Sequence, residues 1–158
     1  MEIRIKNLKE MEKFGKFLSD HLKNKDVVSL KGDLGAGKTT LTNFIGKGLN
    51  ISDYITSPTF NIVNSYYGDK ELNHLDLYRI ENPLELERID YENYFYPEGI
   101  SIIEWAKNGG YYIPEDIIEI EIKKSFDETG RIVDIKENSR SSPQPWPEPR
   151  CGADCFLA

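Results

Sequence analysis

The sequence predicts an α/β fold whose mixed sheet has a parallel centre and antiparallel hairpins. Three patterns indicate this fold: an apolar strand that enters a glycine-rich turn and a helix, and two hairpin signatures later in the chain. The 158 residues fit one domain. Hydrophobic residues, at 39%, suffice for a packed core, and charged residues, at 30%, suffice for a polar surface.

Patterns in the first part of the sequence predict a strand, a helix, a second strand and a second helix. Residues 2–6 alternate charged and apolar side chains, and Asn7 and Glu10 have the spacing of a helix capping box. Residues 27–30 predict a buried strand, and residues 38–47 predict a helix closed by Gly48. The first helix has an apolar stripe that comprises Leu8, Met11, Phe14, Leu18 and Leu22.

The rest of the domain predicts two hairpins around a further strand. Residues 60–67 and 71–77 form the first hairpin, and His74, which has no partner pattern, is expected to be a surface or hairpin residue. A short helix at residues 83–89 and a buried strand at residues 100–103 follow. A last hairpin joins residues 117–122 to residues 131–135.

The composition excludes several classes of protein. A net charge of −7 argues against an autonomous nucleic-acid binder. The apolar runs are too short for a membrane span, and the charged start of the chain does not resemble a signal peptide. Cys151 and Cys155 cannot form a disulfide framework, which favours a cytoplasmic location.

The composition changes after Asn138, so we predict a domain at residues 1–138 and a tail at residues 139–158. Four of the eight prolines alternate with other residues in this tail. Such a segment suits a disordered chain; a Pro-rich docking peptide or a Cys-x-x-x-Cys metal site are the alternatives.

The turn before the second helix matches the phosphate-binding pattern G-x-x-x-x-G-K-[ST] at residues 32–39. Its glycines let backbone N–H groups approach phosphate oxygens, Lys38 reaches the terminal phosphates, and the Thr39 hydroxyl suits Mg²⁺. The flanking strand and helix favour this function over a plain glycine turn beside a lysine. The fold is therefore predicted to be of the P-loop NTPase type, with three layers.

A phosphate loop needs a carboxylate at a strand end to hold Mg²⁺ or its waters. Glu104 ends one apolar strand and Asp76 another, although either could be a solvated carboxylate. Thr59, in Ser57-Pro58-Thr59-Phe60, suits a switch segment or an ordinary proline turn. Trp105 is expected to pack rather than stack on a base.

The sequence lacks the usual features of two enzyme classes. A GTPase should carry an Asn-Lys-x-Asp base-reading segment, and the sequence has none. A small-molecule kinase needs an arginine-rich lid, whereas Arg79, Arg88 and Arg131 are widely separated.

The chain resembles the TsaE (YjeE) family of bacterial ATPases across residues 1–138. The His-Leu-Asp-Leu-Tyr-Arg and Glu-Trp segments make this resemblance more specific than the phosphate loop alone. The matching segments are GDLGAGKTT (residues 32–40), SPTF (57–60), HLDLYR (74–79) and EW (104–105).

The resemblance implies an ATPase that works with the TsaB and TsaD proteins in threonylcarbamoyladenosine modification of tRNA. It implies ATP and Mg²⁺ as cofactors, Thr39 and Glu104 as metal ligands, and Lys38, Asp76, Glu104 and Thr59 as catalytic residues. Contact with tRNA would be indirect. The implied nucleotide-binding residues are Met11, Gly32, Gly35, Ala36, Gly37, Lys38, Thr39, Thr40 and Arg131.

Alternatives stay open at this point. The chain could be a nucleotide-gated binding module whose hydrolysis is incidental, or another small P-loop kinase or ATPase.

Overall fold

The computed structural model describes residues 1–58, 60–127 and 129–137. In these ranges seven strands form one sheet, in the order β1-β7-β6-β2-β5-β4-β3. The strands are β1 (Glu2–Ile5), β2 (Val27–Lys31), β3 (Val63–Tyr67), β4 (Glu71–Asp76), β5 (Ile100–Glu104), β6 (Ile118–Lys124) and β7 (Arg131–Glu137).

The centre of the sheet is parallel and both sides are antiparallel, as the sequence predicted. Strand β2 pairs in parallel with β5 and β6, and β4 pairs in parallel with β5. The β3–β4 and β6–β7 hairpins are antiparallel, and β1 pairs antiparallel with β7. Because β2 lies inside the sheet, Val27 to Leu30 are all buried, which explains its continuous apolar run.

Two helices, α1 (Leu8–His21) and α2 (Lys38–Gly48), pack together over one face of the sheet. The Asn7 side chain caps α1 by accepting a hydrogen bond from the Glu10 N–H at 2.9 Å. The helices approach so closely that a Cβ on Gly15 would overlap the Cβ of Phe44. This layer and the sheet enclose the larger hydrophobic core.

The other face carries the 3₁₀ helices Pro83–Ile89 and Ala106–Tyr112 and the short α3 (Glu92–Phe95). They enclose a second core that includes Leu77, Leu86, Phe95 and Ile103, so the fold has three layers. The part of this sheet face that these helices leave uncovered carries ion pairs, such as Lys31–Glu119 at 2.8 Å.

Three local predictions were wrong. Leu8 is 66% exposed, because it lies in the first turn of α1 and borders a cavity rather than the sheet. Asn50, rather than Gly48, adopts the left-handed conformation after α2 (φ 57°), while Gly48 allows Ser19 to approach. Phe60 precedes β3 and is 94% exposed.

None of the described helices is long and apolar enough to cross a membrane. The predicted tail, residues 139–158, lies outside the described residues.

Candidate functional site

A glycine-rich loop, residues 32–37, joins β2 to α2 at the carboxyl edge of the parallel strands. Gly35 and Gly37 have φ values of 77° and 109°, which favour glycine because other residues are strained there. Nothing lies within 4 Å of the position that a Cβ on Gly35 would take. The first turn of α2 holds no acidic residue, so the positive end of its dipole is not neutralised from within the helix.

Lys38 begins α2, and its side chain is only 10% exposed. Its ammonium donates hydrogen bonds to the carbonyl oxygens of Gly32 (2.7 Å) and Asp33 (3.2 Å). It also lies 4.0 Å from Glu104 Oε2. These contacts hold a cation against the glycine-rich loop and beside a carboxylate.

Glu104 and Asp76 both end parallel strands, and the β4–β5 register places them side by side. Only Glu104 belongs to a strand that flanks β2, because β5 lies between β2 and β4. Asp76, at the end of β4, is therefore two strands away from β2, which leads into the loop. The two carboxylates nevertheless reach the same edge of the sheet as the loop, because parallel strands end together.

His74, which was expected to be a surface or hairpin residue, lies in the β3–β4 hairpin but is fully buried rather than at the surface. Its Nε2 lies 3.0 Å from Oε1 of Glu104, which is itself 4% exposed. The reason is that β4 is covered on both faces, so that consecutive residues from Leu72 to Leu75 are all buried. The signal that the sequence does contain is a histidine inside a strand that ends at a candidate site carboxylate, Asp76.

Asp76 is held at both carboxylate oxygens. Its Oδ1 accepts a hydrogen bond from the Tyr78 N–H (2.9 Å), and its Oδ2 accepts one from the Ser57 hydroxyl (3.2 Å). Asp76 is thereby linked to the segment around residues 57–60, in which Thr59 lies outside the described residues. Phe60 and Tyr78, which line a cavity of about 200 Å³ with Asp76, are both exposed.

Trp105 directly follows Glu104 and has a positive φ of 58°, which is rare for a bulky residue. Its ring contacts Tyr78 with 5.0 Å between centroids, and the Lys107 ammonium lies 4.9 Å from its centroid. Trp105 packs against the second core, as expected. It also lines a cavity of about 410 Å³ that reaches Gly32 and Lys38.

The opposite side of the loop has a cavity of about 200 Å³ that brings together Met11, Gly35, Ala36, Gly37, Thr40 and Arg131. Arg131 donates from Nε to the Ala36 carbonyl (2.7 Å) and from Nη2 to the Gly35 carbonyl (3.3 Å). An ideal Cβ on Gly37 would lie 3.7 Å from Met11 Cε. Residues from α1, α2 and β7 therefore meet around one loop.

The turn that carries Arg131 is held by local hydrogen bonds. The Ser125 hydroxyl donates to Asp127, and the Thr129 N–H also donates to it at 3.2 Å. These bonds, that of Ser125 foremost, lower the pKa of the Asp127 carboxyl because they stabilise its charged form.

The described residues contain no cluster of three or more His, Cys, Asp or Glu side chains that could hold a metal ion. Oxygen donors beside the loop include the Thr39 hydroxyl at the start of α2 and the Glu104 carboxylate. Oxygen donors in this small number fit Mg²⁺, which binds one or two protein groups and fills its other positions with water and phosphate oxygens.

Comparison with known proteins assigns the chain to a family. A family model described as "Threonylcarbamoyl adenosine biosynthesis protein TsaE" matches residues 5–133. The chain belongs to the TsaE family. The match spans every predicted site residue, from Met11 to Arg131.

Similar proteins with the name tRNA threonylcarbamoyladenosine biosynthesis protein TsaE occur in several bacteria. That of Bacillus subtilis is 37% identical over 130 residues, which cover 82% of this chain and 81% of the relative. That of Synechocystis is 43% identical over 112 residues, which cover 68% and 71%. The crystal structure of Bacillus subtilis YdiB matches with a TM-score of 0.73 and 31% identity, over 88% of this chain and 86% of that one.

Proposed function

We propose that this TsaE-family chain binds ATP with Mg²⁺ and hydrolyses it in support of threonylcarbamoyladenosine modification of tRNA. One observation carries the proposal: Lys38, Glu104 and the amino end of α2 converge on the glycine-rich loop. A cation, a carboxylate and free helix N–H groups in this arrangement suit a nucleotide triphosphate with its metal ion.

The phosphates would lie against the backbone of residues 35–40, with the Lys38 ammonium at the β- and γ-phosphates. Thr39 and Glu104 would hold Mg²⁺, which when bound neutralises negative charge on the phosphates. Asp76 has free lone pairs besides those used by Tyr78 and Ser57, and would orient the attacking water molecule.

The nucleotide's base would lie on the Arg131 side of the loop. The cavity there has an apolar wall at Met11 and a cationic wall at Arg131. Met11 offers no hydroxyl, so its contribution would be packing against the base rather than a hydrogen bond. Arg131 would hold the loop in shape through its bonds to Ala36 and Gly35.

Partners would complete the site, and we propose the TsaB and TsaD proteins for this role. Phe60 and Tyr78 are 94% and 63% exposed and lie beside Asp76, which suits an interface next to the reacting phosphate. Thr59 would belong to this switch segment. The acidic charge of the chain favours a basic protein face and only indirect contact with tRNA, in the cytoplasm.

The hydrogen bond between Ser57 and Asp76 favours a second function, a nucleotide-gated binding module. Ser57 links Asp76 to the segment that carries Phe60, so bound ATP alone could shape the interface without turnover. The two functions differ in whether hydrolysis is needed.

The test is phosphate release from ATP by the purified chain, alone and with the TsaB–TsaD pair, beside calorimetry of ATP with Mg²⁺. We expect tight ATP binding, slow turnover alone and a large stimulation by the pair. Asp76→Asn should bind ATP and associate with the pair but lose turnover. If Asp76→Asn still supports tRNA modification, the gated module is correct; if ATP does not bind, both functions are wrong.

A further inference from the structure

His74 is a buried polar residue that the proposed function does not use. It lies in the middle of β4 and is fully buried, and its Nε2 is 3.0 Å from Glu104 Oε1. The second oxygen of that carboxylate, Oε2, is the one that lies 4.0 Å from the Lys38 ammonium. The imidazole and the lysine therefore contact opposite oxygens of one carboxylate.

The surroundings of the ring determine where its proton lies. Nδ1 is buried and has no hydrogen-bond partner in the part of the chain that the structure describes. A proton on Nδ1 would be a buried donor without an acceptor, and Nε2 would then place a lone pair against the carboxylate of Glu104. A neutral ring with its proton on Nε2 avoids both penalties, since only a lone pair is left unpaired.

We infer that His74 is a positioning residue for Glu104. Its Nε2–H donates to Oε1, which fixes the carboxylate so that Oε2 faces the Lys38 side of the loop. A free glutamate side chain has several rotatable bonds, and a hydrogen bond from a buried donor removes that freedom before a metal ion arrives. The inference rests on the proposed function, because only a Glu104 that holds Mg²⁺ gains from having its Oε2 oriented in advance.

The tautomer can be measured without any variant. The sequence has two histidines, and His21 is a natural reference because its Nδ1 lies 2.7 Å from the Phe17 carbonyl oxygen, which only a protonated Nδ1 can contact favourably. Nitrogen NMR of the imidazoles in the full chain, at about pH 8, where free histidine is neutral, should show opposite tautomers. We expect the His74 proton on Nε2. A proton on Nδ1 of His74 would overturn the inference.

Two amide substitutions of His74 test whether the position of the hydrogen-bond donor matters. In His74→Gln the amide nitrogen is as many bonds from the backbone as the histidine Nε2, so it can still donate to Glu104. In His74→Asn the amide ends at the position of Nδ1 and cannot reach the carboxylate. Both variants bury an amide, so a difference between them reports the hydrogen bond rather than general packing.

The readout is Mn²⁺ binding, followed by electron paramagnetic resonance, to the full chain saturated with a non-hydrolysable ATP analogue. We expect His74→Asn to weaken Mn²⁺ binding about 10- to 100-fold, with analogue affinity in the absence of metal unchanged. His74→Gln should stay near the parental value. Ser101→Ala is the control. It removes a buried hydroxyl that, like His74 Nδ1, has no hydrogen-bond partner in the described chain, and it should leave Mn²⁺ binding unchanged.

The outcomes distinguish two failures. If the parental chain binds no Mn²⁺ with the analogue, the proposed function fails and the inference fails with it. If the parental chain binds Mn²⁺ and a folded His74→Asn binds it equally well, the inference alone is wrong. Equal losses in His74→Asn and His74→Gln would also overturn it, because position would then not matter.

Discussion

Replacement of Lys38 by alanine removes the cation that the glycine-rich loop holds. In the structure the ammonium donates to the carbonyls of Gly32 and Asp33 and lies 4.0 Å from Glu104 Oε2. To bind ATP it would exchange the two carbonyl oxygens for phosphate oxygens. The substitution therefore removes an attraction between ammonium and phosphate that exists only with nucleotide bound.

The size of the effect follows from that exchange. The exchange replaces neutral acceptors by charged ones, so the ammonium gains a hydrogen-bonded ion pair with phosphate, and removal of one partner of such a pair costs about 2–5 kcal/mol. This corresponds to a loss of ATP affinity of roughly 30- to 5,000-fold. The loss should be large because the Lys38 side chain is mostly buried and its charge is therefore weakly screened.

Isothermal titration calorimetry with ATP and Mg²⁺ measures this loss, and circular dichroism checks that the variant is folded. Lys31→Ala is the matched control: it removes the same charge from the end of β2, where the ammonium pairs with Glu119 at the surface. Its ATP affinity should stay close to the parental value. A folded Lys38→Ala with parental affinity, or an equal loss in Lys31→Ala, would refute the reasoning.

Four further predictions concern the metal ligand, the packing of the helices, the arginine and the tail. Glu104→Gln should retain ATP binding but lose at least 100-fold in Mg²⁺-dependent phosphate release; parental turnover in the assembled system would contradict this. Gly15→Ala should lower the free energy of unfolding by about 1–3 kcal/mol in urea, because its Cβ would overlap Phe44; an unchanged midpoint would show that the helices move apart at no cost. Arg131→Met should weaken ATP binding about tenfold by calorimetry, since the loop loses its two carbonyl contacts; unchanged affinity would remove Arg131 from the site. Truncation after Asn138 should leave the melting temperature and ATP affinity unchanged, because the proline-rich composition of residues 139–158 suits a disordered chain; a fall of many degrees would mean that the tail packs on the domain.

Much of the fold could be predicted from local patterns. The apolar run of β2, the capping residues of α1 and the glycine turns of the hairpins are signals contained within a few residues, and each appears in the structure. The end of α2 was less predictable, because Gly48 and Asn50 can both take a left-handed conformation; only Asn50 does so, while Gly48 lies against Ser19.

The candidate site divides in the same way. The sequence by itself determined the glycine-rich loop, Lys38 at the start of α2, and Glu104 and Asp76 at strand ends, because these depend on spacing along the chain. Only the tertiary structure decided that β5 separates β4 from β2, and that Met11 and Arg131 meet at the loop from opposite ends of the chain. It also decided the contact of His74 with Glu104, since a hydrogen bond between β4 and β5 depends on strand pairing and on burial from both faces. Such contacts join residues far apart in sequence, and no local pattern specifies which strands become neighbours.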